Sequence, residues 1–185
     1  GLQALEEQLL RSVRAGRFPH AHIFEGPFGC GKKTLVDALC RALNCTGANP
    51  PCGLCPSCLR YAHGNAVNLL RLSPEKSAKV EELRDLIERV AIRPFDGGRL
   101  TVVLENADRL TAQAQNALLK TLEEPPEYAA FFLITERMSA LLSTIVSRCA
   151  VHHIHPLGVE ECARVLVTRG NEAEGGRRLA RAAQG

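Results

Sequence analysis

Residues 26–34, with the sequence GPFGCGKKT, have the composition and spacing of a loop that binds phosphate groups. Glycines let backbone N–H groups turn toward phosphate oxygens, and the N-terminus of the following helix adds a partial positive charge. The first lysine of the loop is placed to reach the outer phosphates of a nucleotide. The predicted nucleotide-binding residues of this loop are Gly26, Gly29, Gly31, Lys32, Lys33 and Thr34.

One position of the loop departs from the usual pattern G-x-x-x-x-G-K-S/T. The residue after Lys32 is Lys33, and the hydroxyl that normally binds Mg²⁺ is displaced to Thr34, about 100° around the helix. The loop therefore predicts a nucleotide-binding fold and argues against ordinary nucleotide chemistry. Because Lys33 could partly replace the charge of Mg²⁺, binding of ATP with or without Mg²⁺ stays open.

A second nucleotide motif is expected where the apolar run at residues 100–104 ends, and it reads Glu105, Asn106, Ala107 and Asp108. ATPases of this type carry Asp followed by Glu there, one to order Mg²⁺ and one to polarise the attacking water. Asn106 cannot accept a proton from water, and Asp108 is a turn too far along to substitute in place. We therefore interpret this segment as an ordinary strand-to-helix turn.

Four cysteines lie close together in a polar segment rich in Pro and Gly, with the spacing C-x6-C-x2-C-x2-C. Two C-x2-C steps share a cysteine, so the backbone can wrap one ion and present four thiolates, which predicts a structural Zn²⁺. The predicted ligands are Cys45, Cys52, Cys55 and Cys58. Free thiols, disulfides and an iron–sulfur cluster are the alternatives, and the missing export signal favours zinc.

Arg148 stands in the segment SRC at 147–149 and, taken alone, is typical of a surface residue rather than a catalytic one. His152, His153 and His155 follow it and could suggest a metal site. Alternation along a strand puts His152 and His153 on opposite faces, so we interpret these histidines as strand-edge residues.

The loop at 26–34 follows an apolar run and opens into a helical pattern, which is the context that phosphate binding requires. Alternating strands and helices predict βαβ units in a doubly wound, parallel α/β sheet. Predicted strands cover 21–25, 67–72, 100–104, 131–134 and 149–154. Predicted helices cover 35–43, 80–90, 111–123 and 141–146, after a first helix that ends at Gly16. Beyond a boundary at 155–156, residues 159–167 and 173–183 are predicted helices of a second piece.

The chain has 185 residues and a formal net charge of +3, which suits one sizeable core with a small appendage. That charge is too small to argue for nucleic-acid binding by itself. There is no signal peptide and no apolar run long enough to cross a bilayer, so we expect a cytoplasmic protein without membrane contact. The chain starts without Met and stops inside a helical pattern, so we expect a trimmed chain that lacks a further domain.

Taken together, these motifs resemble the clamp-loader branch of the AAA+ family over essentially the whole chain. The resemblance is carried by HAHIFEGP at 20–27, the loop at 29–34, ALNC at 42–45, NALLKTLEEPP at 116–126 and SRC at 147–149. It implies a RecA-like AAA+ domain over 1–155 with a zinc insertion at 45–58. It also implies that 156–185 begin a helical lid, and that the collar domain of the family is absent.

Within that branch, Lys33, Glu105 and Asn106 are similar to delta-prime subunits of bacterial DNA polymerase III rather than to the gamma/tau motor subunits. Motor subunits carry Ser or Thr after the loop lysine and an Asp-Glu pair at the strand end. The resemblance therefore implies a non-motor stator, with a degenerate ATP site, in a DNA polymerase (nucleotidyltransferase) holoenzyme. It makes Thr135 a sensor residue and Arg148 an arginine finger that acts in trans on the ATP of a neighbouring gamma/tau subunit.

The resemblance also implies partners, namely the gamma/tau and delta subunits and, through the complex, the sliding clamp and primed DNA during replication. One alternative is a gamma/tau-like motor ATPase that tolerates Lys33 by using Thr34 and Asp108. Another is a zinc-bearing interaction module with no nucleotide role. ATP turnover by the isolated chain separates the first two, and protection of Lys32 from modification by nucleotide tests the third.

Overall fold

A central sheet organises the fold, and its strands all run parallel to one another. The computed structural model describes residues 2–75, 80–156 and 158. Within these ranges the strands are β1 (Ala21–Glu25), β2 (Leu69–Leu72), β3 (Leu100–Leu104), β4 (Ala129–Thr135) and β5 (Ala150–His153). Their order across the sheet is β2-β3-β4-β1-β5, so the connection from β1 to β2 passes over two other strands.

Helices connect and flank the strands of the described ranges. They are α1 (Leu2–Arg14), α2 (Lys32–Leu43), α3 (Pro56–Ala62), α4 (Val80–Val90), α5 (Ala112–Glu123) and α6 (Ser143–Val146). Two short 3-10 turns, Ala107–Arg109 and Met138–Ala140, follow β3 and β4. Among the described residues, no helix has both the length and the apolar character needed to cross a membrane.

Strands β3 and β4 are apolar except for one threonine each, Thr101 and Thr135, and both are buried on both faces of the sheet. Phe131 shares a core cluster with residues of α4 and α5 on one face, and Phe132 shares one with residues of α1 and α2 on the other. Both rings are fully buried, and burying each contributes about 1.5–3 kcal/mol relative to exposure. Helices on both faces of a parallel sheet confirm the predicted doubly wound α/β fold.

Several element boundaries differ from the predictions. Helix α2 begins at Lys32 rather than at 35, and β4 begins at Ala129 rather than at 131. Two further differences have a visible cause. Strand β2 begins at Leu69, because Val67 is exposed and the ladder with β3 starts at the pair Leu69 and Thr101. The helix predicted over 141–146 covers only α6, because a 3-10 turn occupies the chain just before it. The helices predicted at 159–167 and 173–183, and with them the lid, lie outside the described residues.

Neighbouring strands β1 and β4 send the chain to opposite faces of the sheet. Strand β1 leads into α2, whose Val36 packs in the cluster of Phe24, whereas β4 leads to α6, whose Ile145 packs in the cluster of Ile23. The carboxyl ends of two such strands frame a crevice, which is where open α/β sheets usually bind ligands.

Candidate functional site

The turn between β1 and α2 depends on glycines for two different reasons. Gly29 and Gly31 have left-handed backbone, with φ values of 78° and 91°. A Cβ atom at Gly26 would lie 2.2 Å from the carbonyl oxygen of Ile154, so this position has no room for a side chain. Gly31 is also the N-cap of α2 and supplies no side-chain cap, which leaves the first N–H groups of the helix directed at the crevice.

A cleft of about 270 Å³ opens between this turn and the ends of β3 and β4. Its walls come from three separate segments of the chain, namely the loop, the turn after β3 and the end of β4. The lining residues are Phe28, Gly29, Gly31, Lys32, Lys33, Thr34, Asn106, Ile134, Thr135 and Glu136. The structure therefore brings together the predicted nucleotide-binding residues in one place, except Gly26, which lies behind the loop at close approach to Ile154.

Lys32 is folded back onto its own loop. Its Nζ donates hydrogen bonds to the carbonyl oxygens of Gly26, at 2.5 Å, and Pro27, at 2.6 Å, and the residue is buried. These bonds satisfy an ammonium group that has little access to water. Lys32 can reach a phosphate in the cleft only by exchanging these carbonyl oxygens for phosphate oxygens.

The next lysine, Lys33, contacts the acid at the end of β3. Its Nζ lies 2.7 Å from Oε2 of Glu105, whose side chain is only 5% exposed. Arg71 contacts the other carboxylate oxygen at 2.6 Å, and the hydroxyl of Ser73 donates to Oε2 at 2.7 Å. Burial raises the pKa of Glu105, but hydrogen bonds from Lys33, Ser73 and Arg71 outweigh it and hold the pKa below its usual value.

In a magnesium nucleotide site, a loop hydroxyl and a strand-end acid bind the cation. In this chain, the strand-end acid Glu105 is bonded to two protein cations, Lys33 and Arg71. Arg71 is in turn fixed by Asp37 of α2 at 2.5 Å. Sequence reasoning missed Arg71 and Ser73, and the available signal was an arginine between the leucines of the predicted strand.

The residues after Glu105 are engaged elsewhere. Asn106 has left-handed backbone, with φ of 49°, and its amide donates to the carbonyl of Pro74 at 3.1 Å. Asp108 accepts a hydrogen bond of 3.1 Å from the hydroxyl of the buried Thr135. The structure thus places Asp108 at the end of β4, beside the predicted sensor Thr135, rather than beside Lys33.

Arg148 lies at the amino ends of the parallel strands (the amino edge of the sheet), whereas the loop lies at their carboxyl ends. It comes just before β5, which runs parallel to its neighbour β1, whereas the loop follows the carboxyl end of β1. Its Nη2 lies 2.6 Å from Oε1 of Glu123, and its Nη1 donates to the carbonyl of Thr144 at 2.7 Å. Arg148 therefore cannot reach the phosphate-binding loop of its own chain.

The four predicted zinc ligands converge. The sulfur atoms of Cys45, Cys52, Cys55 and Cys58 all lie within 4.8 Å of one another. Zinc bound to thiolates at about 2.3 Å needs sulfurs about 3.8 Å apart at the corners of a tetrahedron. The sulfurs of Cys45 and Cys55 are 3.9 Å apart, so a small contraction would close the site around one ion. All four are free thiols without a disulfide in the described part of the chain.

Backbone N–H groups prepare these sulfurs for a cation. The amides of Gly47 and Cys52 both donate to Sγ of Cys45 at 3.3 Å. The N–H groups of Cys58 and Thr46 are the main reason why the pKa of Cys55 falls to about 5, whereas burial raises the pKa of Cys58 to about 12. Donors aimed at sulfur favour the thiolate form, which is the form that binds metal.

The histidines of β5 do not form a cluster. His152 bonds to His22 of β1, with 2.9 Å between Nε2 and Nδ1, while His153 lies 2.6 Å from Glu25. His22 is buried, and burial, reinforced by His152, lowers its pKa to about 3. Within the described ranges the cysteines form the single group of metal-type ligands. Strand β5 lies at the edge of the sheet and contains His152 and His153, whereas His155 follows its end.

Comparison with known proteins assigns the chain to a family. Residues 1–158 match the family described as DNA polymerase III, delta subunit. This chain belongs to that family. The match includes the loop, the four cysteines and Arg148, and it confirms the predicted relation to DNA polymerase III subunits, whereas the narrower delta-prime assignment stays a prediction.

Tau and gamma subunits of DNA polymerase III are among the relatives of this chain. The DNA polymerase III subunit tau of Escherichia coli K12 is 38% identical over 160 residues, covering 85% of this chain and 25% of tau. Subunit gamma of Buchnera aphidicola is 31% identical over 163 residues, covering 87% of this chain and 44% of gamma. The chain thus spans about a quarter of tau and less than half of gamma.

Solved structures show the same fold. A gamma subunit-related protein of DNA polymerase III from Thermotoga maritima superposes with a TM-score of 0.63 at 24% identity, covering 98% of this chain and 56% of that protein. The RuvB Holliday junction branch migration motor of the same organism gives 0.59 at 15% identity, covering 97% and 54%. This likeness confirms the predicted RecA-like AAA+ type of fold.

Proposed function

We propose that this chain is the RecA-like domain of a non-motor clamp-loader subunit, of the delta-prime type, with a degenerate ATP site. The observation that carries the proposal is the 2.7 Å contact between Lys33 and Glu105. In this proposal, the ammonium of Lys33 takes the place of the Mg²⁺ that a motor subunit must bind between its loop and its strand-end acid. Asn106 adds support, because an amide bonded to Pro74 cannot activate water.

Arg148 is the residue that acts in this proposal. Its place at the amino edge of the sheet, remote from its own loop, suits a cation that serves a neighbouring subunit. A guanidinium supplied in trans stabilises charge on the phosphoryl group during transfer. The proposed partners are the gamma/tau and delta subunits, and through the complex the sliding clamp and primed DNA in replication.

The test is nucleotide binding and turnover on the isolated protein, with and without Mg²⁺, followed by Arg148→Ala in the reconstituted complex. We expect no turnover from the isolated protein and no strengthening of binding by Mg²⁺. We expect Arg148→Ala to slow hydrolysis at the ATP site that it faces by roughly 10³-fold or more, so that turnover by the complex falls, while Lys32→Ala changes it little. Equal turnover with and without Arg148 would reject the arginine finger.

A gamma/tau-like motor subunit is the second candidate, and the names of the curated relatives favour it. The cleft also retains Lys32, Thr34 and Thr135 together. This candidate requires Lys33 to leave Glu105, so that Mg²⁺ can enter, with Thr34 as the hydroxyl ligand. Turnover that depends on Mg²⁺ and is lost in Lys32→Ala would establish it.

We also propose that Cys45, Cys52, Cys55 and Cys58 hold one structural Zn²⁺. The four sulfurs and their N–H donors support this proposal, and four thiolates leave no open position for water, so the ion would stabilise the insertion rather than catalyse. The insertion contacts α1, because Arg14 donates to the carbonyl of Pro50 at 3.3 Å. Helix α3, which carries Cys58, contacts α2 through Tyr61, whose hydroxyl donates to Asp37 at 2.9 Å. Zinc content measured on purified protein, with and without a chelator, tests it.

A further inference from the structure

We propose that Glu123 is the positioning residue of Arg148. Its carboxylate holds the guanidinium at the amino edge of the sheet in the orientation from which the arginine acts on a neighbouring subunit. This inference rests on the proposed function of Arg148 in trans. The contact between Nη2 of Arg148 and Oε1 of Glu123 is 2.6 Å, which is a charge-assisted hydrogen bond.

Helix α5 ends on two acids, with Glu123 as its last residue and Glu124 after it. The C-terminus of a helix carries a partial negative charge, so carboxylates there are unfavourable and cations favourable. Lys120 is the cation of the last turn of α5 itself. Arg148 adds a second cation from the turn between α6 and β5, so its charge stabilises Glu123 while Glu123 fixes its direction.

The anchored guanidinium still has donors to offer. Within the described residues it bonds to Glu123, to the carbonyl of Thr144 at 2.7 Å and to the hydroxyl of Ser147 at 3.3 Å. An arginine has five N–H donors, and three are used by these contacts. Two remain for phosphate oxygens, and the side chain is 33% exposed, so a ligand can approach it.

Anchoring matters because a free arginine side chain samples many rotamers. A bond at Glu123 removes that freedom before the neighbouring subunit arrives, so less order has to be created in the transition state. Thr144 and Ser147 would hold the chain partly in place without Glu123. We therefore expect loss of the carboxylate to cost about tenfold in kcat, less than loss of the arginine itself.

The opposite role would be a latch that keeps Arg148 away from its target until assembly. The two roles predict opposite changes, because removing a latch raises ATP turnover and removing an anchor lowers it. Glu123→Gln separates charge from geometry, since its amide oxygen can still accept from Nη2. Glu124→Ala is the matched control, one residue away and without a contact to Arg148 among the described residues.

The experiment measures ATP turnover by the reconstituted complex that contains the full-length protein, with thermal unfolding of each variant as a folding control. We expect Glu123→Ala to lower kcat about tenfold with KM changed less than about twofold. We expect Glu123→Gln to restore most of the rate and Glu124→Ala to match wild type. In the protein alone, ¹⁵N relaxation at Nε of Arg148 should show a rigid side chain in wild type and Glu123→Gln, and a mobile one in Glu123→Ala.

Unchanged or raised kcat in Glu123→Ala overturns the positioning role, and so does an equally rigid Arg148 in that variant. Arg148→Ala separates this failure from failure of the proposed function. If Arg148→Ala lowers turnover and Glu123→Ala does not, only the positioning role is wrong. If Arg148→Ala leaves turnover at the wild-type value, the action in trans is wrong, and the positioning role falls with it.

Discussion

Glu105 balances the charges of the cleft, and replacing it by Gln removes its charge while keeping its shape. The change weakens two charge-assisted hydrogen bonds, from Lys33 at 2.7 Å and from Arg71 at 2.6 Å. Such bonds contribute about 1.5–3 kcal/mol each. The loss is smaller than their sum, because the Lys33 side chain is 55% exposed and can return to water, and Arg71 keeps Asp37. We expect Glu105→Gln to lower the free energy of unfolding by about 2 kcal/mol at neutral pH.

Low pH should remove the difference in the free energy of unfolding between wild type and Glu105→Gln. Although burial raises the pKa of Glu105, its hydrogen bonds to Lys33, Ser73 and Arg71 lower it below the usual value in the folded chain. A depressed pKa gives stability that is fully present above the unfolded pKa of about 4.3 and is lost as pH falls through the folded value. The Gln variant lacks this contribution, so wild type and variant should converge in strong acid.

Urea unfolding followed by circular dichroism measures both effects, at neutral pH and at a series of pH values down to about 2. An unchanged m-value is needed for the comparison, and the exposed Glu124→Gln is the control for loss of a surface acid. A destabilisation below about 0.5 kcal/mol at neutral pH would place Glu105→Gln with ordinary surface substitutions. Either that result or a difference that persists in acid would refute the charge balance.

Three further predictions concern the loop, the cysteines and β1. Gly26→Ala should lower the free energy of unfolding by more than about 2 kcal/mol in urea titrations, because its Cβ would meet the Ile154 carbonyl at 2.2 Å; equal stability would contradict the close approach. Cys55→Ala should release zinc and lower the free energy of unfolding by several kcal/mol, and an unchanged zinc content would reject the site. Because the pKa of His22 is about 3 in the folded chain, only the unfolded chain gains a proton there as pH falls from about 6.5, so the protein should lose stability over this range. His22→Phe should flatten the dependence of the urea midpoint on pH, and an unchanged dependence would reject the role of His22.

The strands and the loop were predictable because local pattern determines them. Residues 100–104 are a nearly continuous apolar run, and β3 covers the same range, since both faces of the sheet are covered. The bounds of β1 and α4 also agree with the predictions, and the left-handed backbone at Gly29 and Gly31 follows from the glycine pattern. By contrast, Val67 was included in β2 by its apolar character alone, which does not distinguish an exposed residue from a paired one.

The contacts that decide between a silent and an active site could not be predicted, because they join strands that are distant in sequence. Lys33 meets Glu105 only since β3 lies two strands from β1, and Arg71 reaches both Glu105 and Asp37 only since β2 pairs with β3.

The place of Arg148 has the same cause. Arg148 comes just before β5, and the phosphate-binding loop comes just after β1. Because β1 and β5 run parallel, the two are separated by the length of a strand. The 12 residues of α5 span about 18 Å and end at Glu123, beside the arginine. Arg148 and the cleft can therefore be tested by independent substitutions.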